Sequence, residues 1–527
     1  MAKTLTPLSV IAPGSYGINT KSSSLEIGPQ WCTTSRNAIV ANTGVIAARK
    51  GWQAQNSTQI AGGADIKVLH EYIDSGEQSR IISTADNKIF EGTVSITDVT
   101  GTITTPTSDN WKFVNFNGKC VGVQAGHDPI VKSNSGDFSD ISFDTTPDDP
   151  IDALAAWGRI WYVEADRQTI KYTDLLQEGV LNSGSSGTIN MYTVWANGAD
   201  EIVSIQEFNN YLVIFGRKQI VLYSGGEDPN NNLSIVDIIN NTGCIARDSV
   251  QNIGNDIIFL SEQGIISLAR NIQAGGDIRS LPLANLADNV SDFLSIFSLG
   301  EPESNVKSAY KPDDGYYLIT FPSSGRTFYL NLRYQTPDNK ARIFVWTGIN
   351  PTALAVDRSD NLYVGKNGYV GLYNGYSDNG ETYDLFFKTG WTSGGEESLT
   401  TKKIFKQAVV TIKGGYSSDI TFDWSYDFLS TVYDNESNEV EIQFEASEYG
   451  KSEYGIAEYS RINPVSTLIY RMSGSGKSVQ FGFRTEIIGS EIEIQRSDLY
   501  LKSGKVSRRA TVRAIIIKRL TFLSRIR

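Results

Sequence analysis

Histidine, methionine and cysteine are all scarce in this 527-residue chain, at two, three and three residues. With only His70 and His127, a serine–histidine–aspartate triad or a histidine-built metal site has almost nothing to draw on. His127 falls in the turn-like GHDP, which predicts a surface position. Cys32, Cys120 and Cys244 lie far apart. That excludes a disulfide framework and a zinc spacing, and predicts reduced, mostly buried thiols in a chain folded in a reducing cytoplasm. No apolar run approaches the roughly 18 residues of a membrane-spanning helix. The opening MAKTLTPLSVIAPG lacks the continuous apolar stretch and small-residue cleavage site of a secretion signal, so the polar strip after it is expected in the mature protein.

What is abundant points to β structure. Glycine reaches 48 residues and aromatics 11%, with tyrosine and phenylalanine far outnumbering methionine. Aromatic and β-branched residues suit a pleated, half-buried surface, and glycine marks turns. The net charge is −12, which argues against tight, non-specific gripping of nucleic acid. The charge is uneven: residues 505–527 carry eight lysines and arginines and no acid, leaving −20 on the remaining 504 residues.

One unit recurs along the chain: an apolar run, a short polar turn and a second apolar run. It reads RIISTADNKIFEG at 80–92, KCVGVQAGHDPIVKS at 119–133 and RIWYVEADRQTIKYT at 159–173. It continues as YLVIFGRKQIVLYS at 211–224, DIIFLSEQGIISLA at 256–269, YYLITFPSSGRTFYLNL at 316–332 and LYVGKNGYVGLYN at 362–374. A four-stranded propeller blade needs roughly 40–45 residues, which the spacing of these hairpins allows. LSIVDII at 233–239 and RIFVWTG at 342–348 read as outer strands. The expected fold is therefore mainly β: an irregular β-propeller of six or seven blades over 61–375. One short helix is expected near 285–297, where Leu286, Val290, Phe293, Leu294 and Phe297 fall at helical spacing. From 376 to 505 longer alternating strands, such as KKIFKQAVVTIKG and EIEIQRSDLYLK, predict an antiparallel β-sandwich-like domain. Residues 1–60 are expected to form a leader strip lying on the propeller or a neighbouring subunit. Residues 506–527 read as a basic tail of uncertain role, an assembly element, a disordered tail or a membrane contact.

Several stretches look chemical. MSGSGKS at 472–478 carries Gly476-Lys477-Ser478, but Arg471 stands where a phosphate loop needs its first glycine, and strands flank it on both sides. A hairpin turn is expected. The acid pairs Asp148-Asp149, Asp313-Asp314 and Glu396-Glu397 could supply two carboxylates for glycan hydrolysis, yet each sits in a predicted turn. No catalytic residue, cofactor site or metal site is expected, and the chain is not expected to be an enzyme.

The strip at 15–52 carries a motif: Gly17-Ile18-Asn19-Thr20, then Leu25, Arg36-Asn37, Gly44 and finally Arg49-Lys50-Gly51-Trp52. This pattern resembles the N-terminal signature of podovirus tail nozzle proteins, also called tubular tail or stabilisation proteins of short-tailed bacteriophages. The order of leader strip, irregular propeller and C-terminal β domain is similar as well, and so is LPLANLADNVSDFL. The basic tail departs from that pattern. The resemblance implies a virion tail component, made in the host bacterial cytoplasm and assembled as a homo-hexamer. Its partners would be a tail adaptor protein, a tail fibre or spike protein, the host cell envelope and phage DNA passing without sequence-specific binding. The motif residues would then act as an assembly leader, with ordinary packing within one chain as the alternative. A competing function class is a glycan-binding or glycan-cleaving propeller used in receptor recognition, with Trp111, Trp157, Trp161 and Trp195 as the possible sugar platform.

Overall fold

The computed structural model describes residues 5–503 apart from 107, 135, 197, 274, 276–283, 292–299, 394–400, 416–417, 437–464 and 488. The chain divides into two compact units: Met1–Arg49 together with Thr382–Arg527, and Lys50–Glu381. In chain order the second unit is inserted into the first.

Lys50–Glu381 is a seven-bladed propeller. Each of the seven hairpins read from the sequence lies in its own antiparallel sheet; six form the middle pair of four strands and the one at 256–269 the last pair of three among the described residues. Blade one opens with Val68–Ile73, blade two with Lys112–Phe116, blade three with Asp152–Ala156 and blade four with Ile202–Phe208. Blade five opens with Gln251–Asn252, blade six with Lys307–Lys311 and blade seven with Ala353–Val356. These first strands are the innermost. Those of blades one, two, three and four lie against one another in turn, as do those of blades five, six, seven and one. Blades four and five are joined by one apolar core that includes Val203, Phe215, Val250 and Phe259. The ring is thus closed.

Local chemistry explains why the hairpins were legible. Two of their turns, Asp86-Asn87 and Asn367-Gly368, and three of the turns that introduce them, Asn117-Gly118, Trp157-Gly158 and Asn209-Asn210, are two-residue loops with both central residues at positive φ. That is the loop whose twist matches paired strands, and asparagine, aspartate and glycine adopt it at least cost. The anticipated outer strands are Ser234–Asn240 and Arg342–Trp346, the fourth strands of blades four and six.

Blade seven takes its fourth strand from the other end of the sequence. Trp52–Ala54 pairs antiparallel with Tyr369–Tyr373, joining the first part of this unit to its last blade. Here two glycines are required by close approach. A Cβ on Gly51 would meet the Ser377 carbonyl oxygen at 1.9 Å, and one on Gly371 would meet the Trp52 ring at 2.3 Å.

Blade five has three strands among the described residues. The helix expected near 285–297 is not formed over its described part. Asn285 instead bridges Ile266 at the edge of that blade, and turns follow. The Leu286 amide donates to the Ile265 carbonyl, and the Asn285 side chain donates to the Gln263 carbonyl while accepting from the Ala287 amide. An open sheet edge offered these groups better partners than a helix could, and Leu286 and Val290 are still buried. Residues 292–297 lie outside the described residues.

The other unit is a two-sheet antiparallel sandwich. One sheet orders Ala38–Val40, Ile46–Ala48, Ile492–Ser503, Lys403–Gly414 and Val465–Arg471, with Thr6–Ile11 also pairing to Ile492–Ser503. The other orders Cys32–Arg36, Tyr383–Thr389, Val479–Ile487, Ile420–Tyr426 and Tyr433–Glu436. Their faces meet through aromatic rings: Phe422 lies 5.3 Å from Tyr470, and Phe405 lies 5.5 Å from Tyr426. Residues 1–49 are therefore not a separate leader. Their strands complete the sandwich: Thr6–Ile11 and Ile46–Ala48 pair with Ile492–Ser503, Cys32–Arg36 with Tyr383–Thr389, and Ala38–Val40 with Ile46–Ala48. The division falls at Arg49 and at Thr382, rather than at 60 and 375. The expected strand EVEIQFEAS and the tail 506–527 lie outside the described residues.

Candidate functional site

The motif residues of the strip fall in two places. Gly17 to Arg49 build the sandwich. Ile18 is buried and bridges Cys32, and the Asn19 side chain accepts from the amides of Lys21 and Ser22, which fixes a turn. Thr20 is exposed and Leu25 half-buried. Gly44 closes the short turn between Ala38–Val40 and Ile46–Ala48, its amide donating to Ala41. Gly51 and Trp52 belong to the propeller closure described above.

The densest part of the strip is the group around Arg49, which is fully buried. Its Nε donates to the Asn37 side-chain oxygen at 3.0 Å, and its guanidinium lies 4.0 Å from the centre of the Tyr383 ring. The Tyr383 hydroxyl donates to the Arg49 carbonyl. Asn37 sits at φ +56° and donates to the Asp384 carbonyl at 2.8 Å, while Arg36 pairs with the Asp384 carboxylate at 3.2 Å. Arg49 and Thr382 flank the inserted propeller in sequence, so this group clamps the two points where the chain leaves and re-enters the sandwich.

The chemical-looking stretches resolve into structure. In MSGSGKS the amides of Lys477 and Ser478 both donate to the Asp427 carboxylate, at 2.7 and 2.9 Å, which occupies the donors a phosphate would need. Trp111, Trp161 and Trp195 are buried in blade cores. Trp157 packs edge-on to Trp161, with its Nε1 donating to Asn210 at 2.8 Å. No aromatic platform is presented by these four. Asp313 and Asp314 are held by turn contacts, including a 3.1 Å pair from Lys311 to Asp314, whereas Glu396 and Glu397 lie outside the described residues. The three cysteines are free and buried, and burial pushes the Cys244 thiol up to about 12. His127 is a correction. It is 4% exposed rather than on the surface, opening the strand His127–Ser133. Its ring nitrogens lie 2.7 Å from the Thr104 carbonyl and 2.6 Å from the Asp128 carbonyl, and its ring packs against Trp111. Those contacts hold the ring inside the protein, so the turn-like sequence did not imply exposure.

The polar groups that the sequence reading missed converge on the propeller axis. Lys112, Asp152 and Lys307 are each the first residue of an innermost strand, in blades two, three and six. Arg247 and Asp248 precede the first strand of blade five. Asp248 accepts from Arg247 Nε at 2.9 Å and from Lys307 Nζ at 2.5 Å. Lys307 also donates to the Asn110 side-chain oxygen at 2.6 Å, and Arg247 to the Ile151 carbonyl at 2.8 Å. Burial alone would raise the Asp248 carboxyl, but Arg247 and Lys307 beside it outweigh that and hold it well below the usual carboxylate range. Asp152 is different. It is wholly buried, one oxygen accepts from Ser204 and the Ile205 amide, and burial raises its pKa against the opposing pull of Lys112 and Arg247. This network joins blades two, three, five and six across the axis. A cavity of about 400 Å³ lies on one side of it and one of about 230 Å³ on another, both lined in part by Asp248. The sequence signal was a charged residue opening the strand before a hairpin in three of the seven blades.

No helix among the described residues is long and apolar enough to cross a membrane, and no group of three or more metal-ligating side chains is gathered there. No family model matches the chain, and no curated protein matches it. Among solved structures, it is similar to the computationally designed Ika8 protein at 14% identity, over 61% of this chain and 99% of that one, with a TM-score of 0.35. The WD40 domain of Neurospora crassa Pan2 matches at 9% identity over 62% of this chain and 96% of that one, with a TM-score of 0.37. The extracellular domain of a hybrid two component system from B. thetaiotaomicron matches at 11% identity and a TM-score of 0.36, over 61% of this chain and 41% of that one.

Proposed function

We propose that this chain is a structural component of a short bacteriophage tail, a hexameric nozzle that meets a tail adaptor on one side and carries fibres or spikes. The observation that supports this most is the use made of the strip that carries the resemblance. Its motif residues are spent on architecture: Asn37, Arg49 and Tyr383 clamp the chain crossing, and Gly51 and Trp52 close the propeller. A part that must hold its shape while DNA is driven past it needs this kind of internal fastening. The glycan-platform reading draws less support, since the tryptophans it relied on are taken up by blade cores and by the Trp157–Asn210 contact. In the nozzle reading the DNA passage lies between copies, because the Arg247–Asp248–Lys307 network crosses the propeller axis. An overall acidic chain suits such a passage, as a basic wall would bind the phosphate backbone by counterion release. The test is mass by light scattering and imaging by electron microscopy, alone and with a co-expressed tail adaptor. A hexameric ring with an axial opening is the expected result. A monomer under both conditions overturns the proposal.

A further inference from the structure

Lys307 is buried at the propeller axis with two different partners on one nitrogen. Its Nζ lies 2.5 Å from Asp248 Oδ2 and 2.6 Å from Asn110 Oδ1. An amine against a side-chain carboxamide, with a carboxylate on the same nitrogen, supplies what joining lysine to asparagine requires: a nucleophile, an acyl carbon and a proton carrier. The Asn110 oxygen also accepts from Arg247 Nη2 at 3.4 Å, which puts a cation where negative charge develops when the adjacent carbon is attacked. Among the described residues the Asn110 side-chain nitrogen has no hydrogen-bond partner to hold it. Arg247 Nη2 in turn lies 3.1 Å from Asp248 Oδ2, the oxygen that Lys307 contacts, so the four groups form one closed cluster. Burial lowers the Lys307 pKa, and Arg247 and Lys112 lower it further against the pull of Asp248, which raises the share of neutral amine.

We propose that Lys307 and Asn110 join in an intramolecular isopeptide bond across the propeller axis, with Asp248 carrying the protons and Arg247 stabilising the oxyanion. Asp248 takes a proton from the Lys307 ammonium, and the freed lone pair attacks Asn110 Cγ. A bond forms between Lys307 Nζ and that carbon, and the bond from Cγ to Nδ2 breaks. The proton on Asp248 and a second one from the attacking nitrogen pass to Nδ2, which leaves as ammonium. Asp248 ends as the carboxylate it was, still paired with Arg247. No co-reactant enters, and holding the groups in contact replaces a bimolecular encounter. The bond ties the first strand of blade six to the segment entering blade two, 197 residues earlier, and so closes a long loop of the unfolded chain. It lies within one propeller and does not depend on the nozzle reading.

The experiment is intact mass spectrometry of the denatured full chain, followed by tryptic digestion. The wild type is expected to be one ammonia lighter than its sequence, with no cleavage after Lys307 and one joined peptide carrying both Lys307 and Asn110. Lys307→Met and Asp248→Asn are each expected to show the full mass of their own sequence. A wild-type chain of full mass overturns the bond, as does an ammonia loss that maps elsewhere, such as to Asn117-Gly118. An undiminished yield of joined peptide in Asp248→Asn overturns the proton-carrying role. The wild-type mass and digest decide the bond even if a variant fails to fold.

Discussion

The propeller and the sandwich both depend on the first tenth of the chain, but in opposite proportions. The propeller takes only Trp52–Ala54 from it, a three-residue strand that completes a ring of otherwise local hairpins. The sandwich takes four strands from it and pairs three of them with residues about 350 to 500 positions away, as in Cys32 with Thr389, Ile46 with Ile494 and Thr6 with Leu501. One unit is made of local strand pairings and sealed by a single distant one. The other is made mostly of distant ones. Because closing long loops carries an entropic cost that local hairpins avoid, the propeller blades are expected to gain structure before the sandwich does.

The comparison breaks most visibly at Trp52. Trp52→Ala removes a buried ring that fills the space left by Gly371 and is expected to destabilise the propeller by about 3–5 kcal/mol. In a denaturant titration followed by tryptophan fluorescence and by hydrogen exchange, protection should fall across the blades and persist in Ile492–Ser503. Equal loss in both units would show that they unfold as one.

A smaller and opposite effect is expected at Asn37. Asn37→Gly keeps the positive φ but removes the bonds to Arg49 and Asp384, at a cost of about 1–3 kcal/mol confined to the sandwich. Exchange in the blades should be unchanged. Loss of protection in blade seven would show instead that the clamp governs both units.

The mildest probe is pH. The folded pKa of His70 is lowered to about 4, below the roughly 6.5 of an unfolded chain. The unfolded state therefore binds the extra proton first. Propeller stability is complete above about pH 6.5 and declines as pH falls from there towards about 4, then levels off for this group. Melting curves across that range should show the decline in the wild type and a flatter profile in His70→Gln. An identical slope in both would remove His70 as its source.

How much of this was readable in advance follows the same division. The seven hairpins were legible because each is written within about fifteen residues by alternating apolar positions and a turn such as Asn367-Gly368. The predicted helix at 285 failed because Leu286 and Val290 satisfied helical spacing, while the decisive partner, the open edge at Ile265 and Ile266, lay elsewhere in the sequence. His127 misled for a related reason. A polar residue beside glycine and aspartate reads as a turn, and only the packed structure brings Thr104 and Trp111 to its ring. The axial cluster left a faint trace, a charge at the head of an innermost strand, whose meaning depends on four blades meeting at one axis.

The sequence by itself determined the β content, the seven repeating hairpins and the place of most strands, because period-two patterning and turn chemistry act between near neighbours. Tertiary structure alone decided that the strip belongs to the sandwich, that Trp52–Ala54 seals the ring and that Lys112, Asp152, Arg247, Asp248 and Lys307 share one axis. Those facts rest on which open strand edges and which buried charges meet in space, and no local stretch of sequence contains both partners.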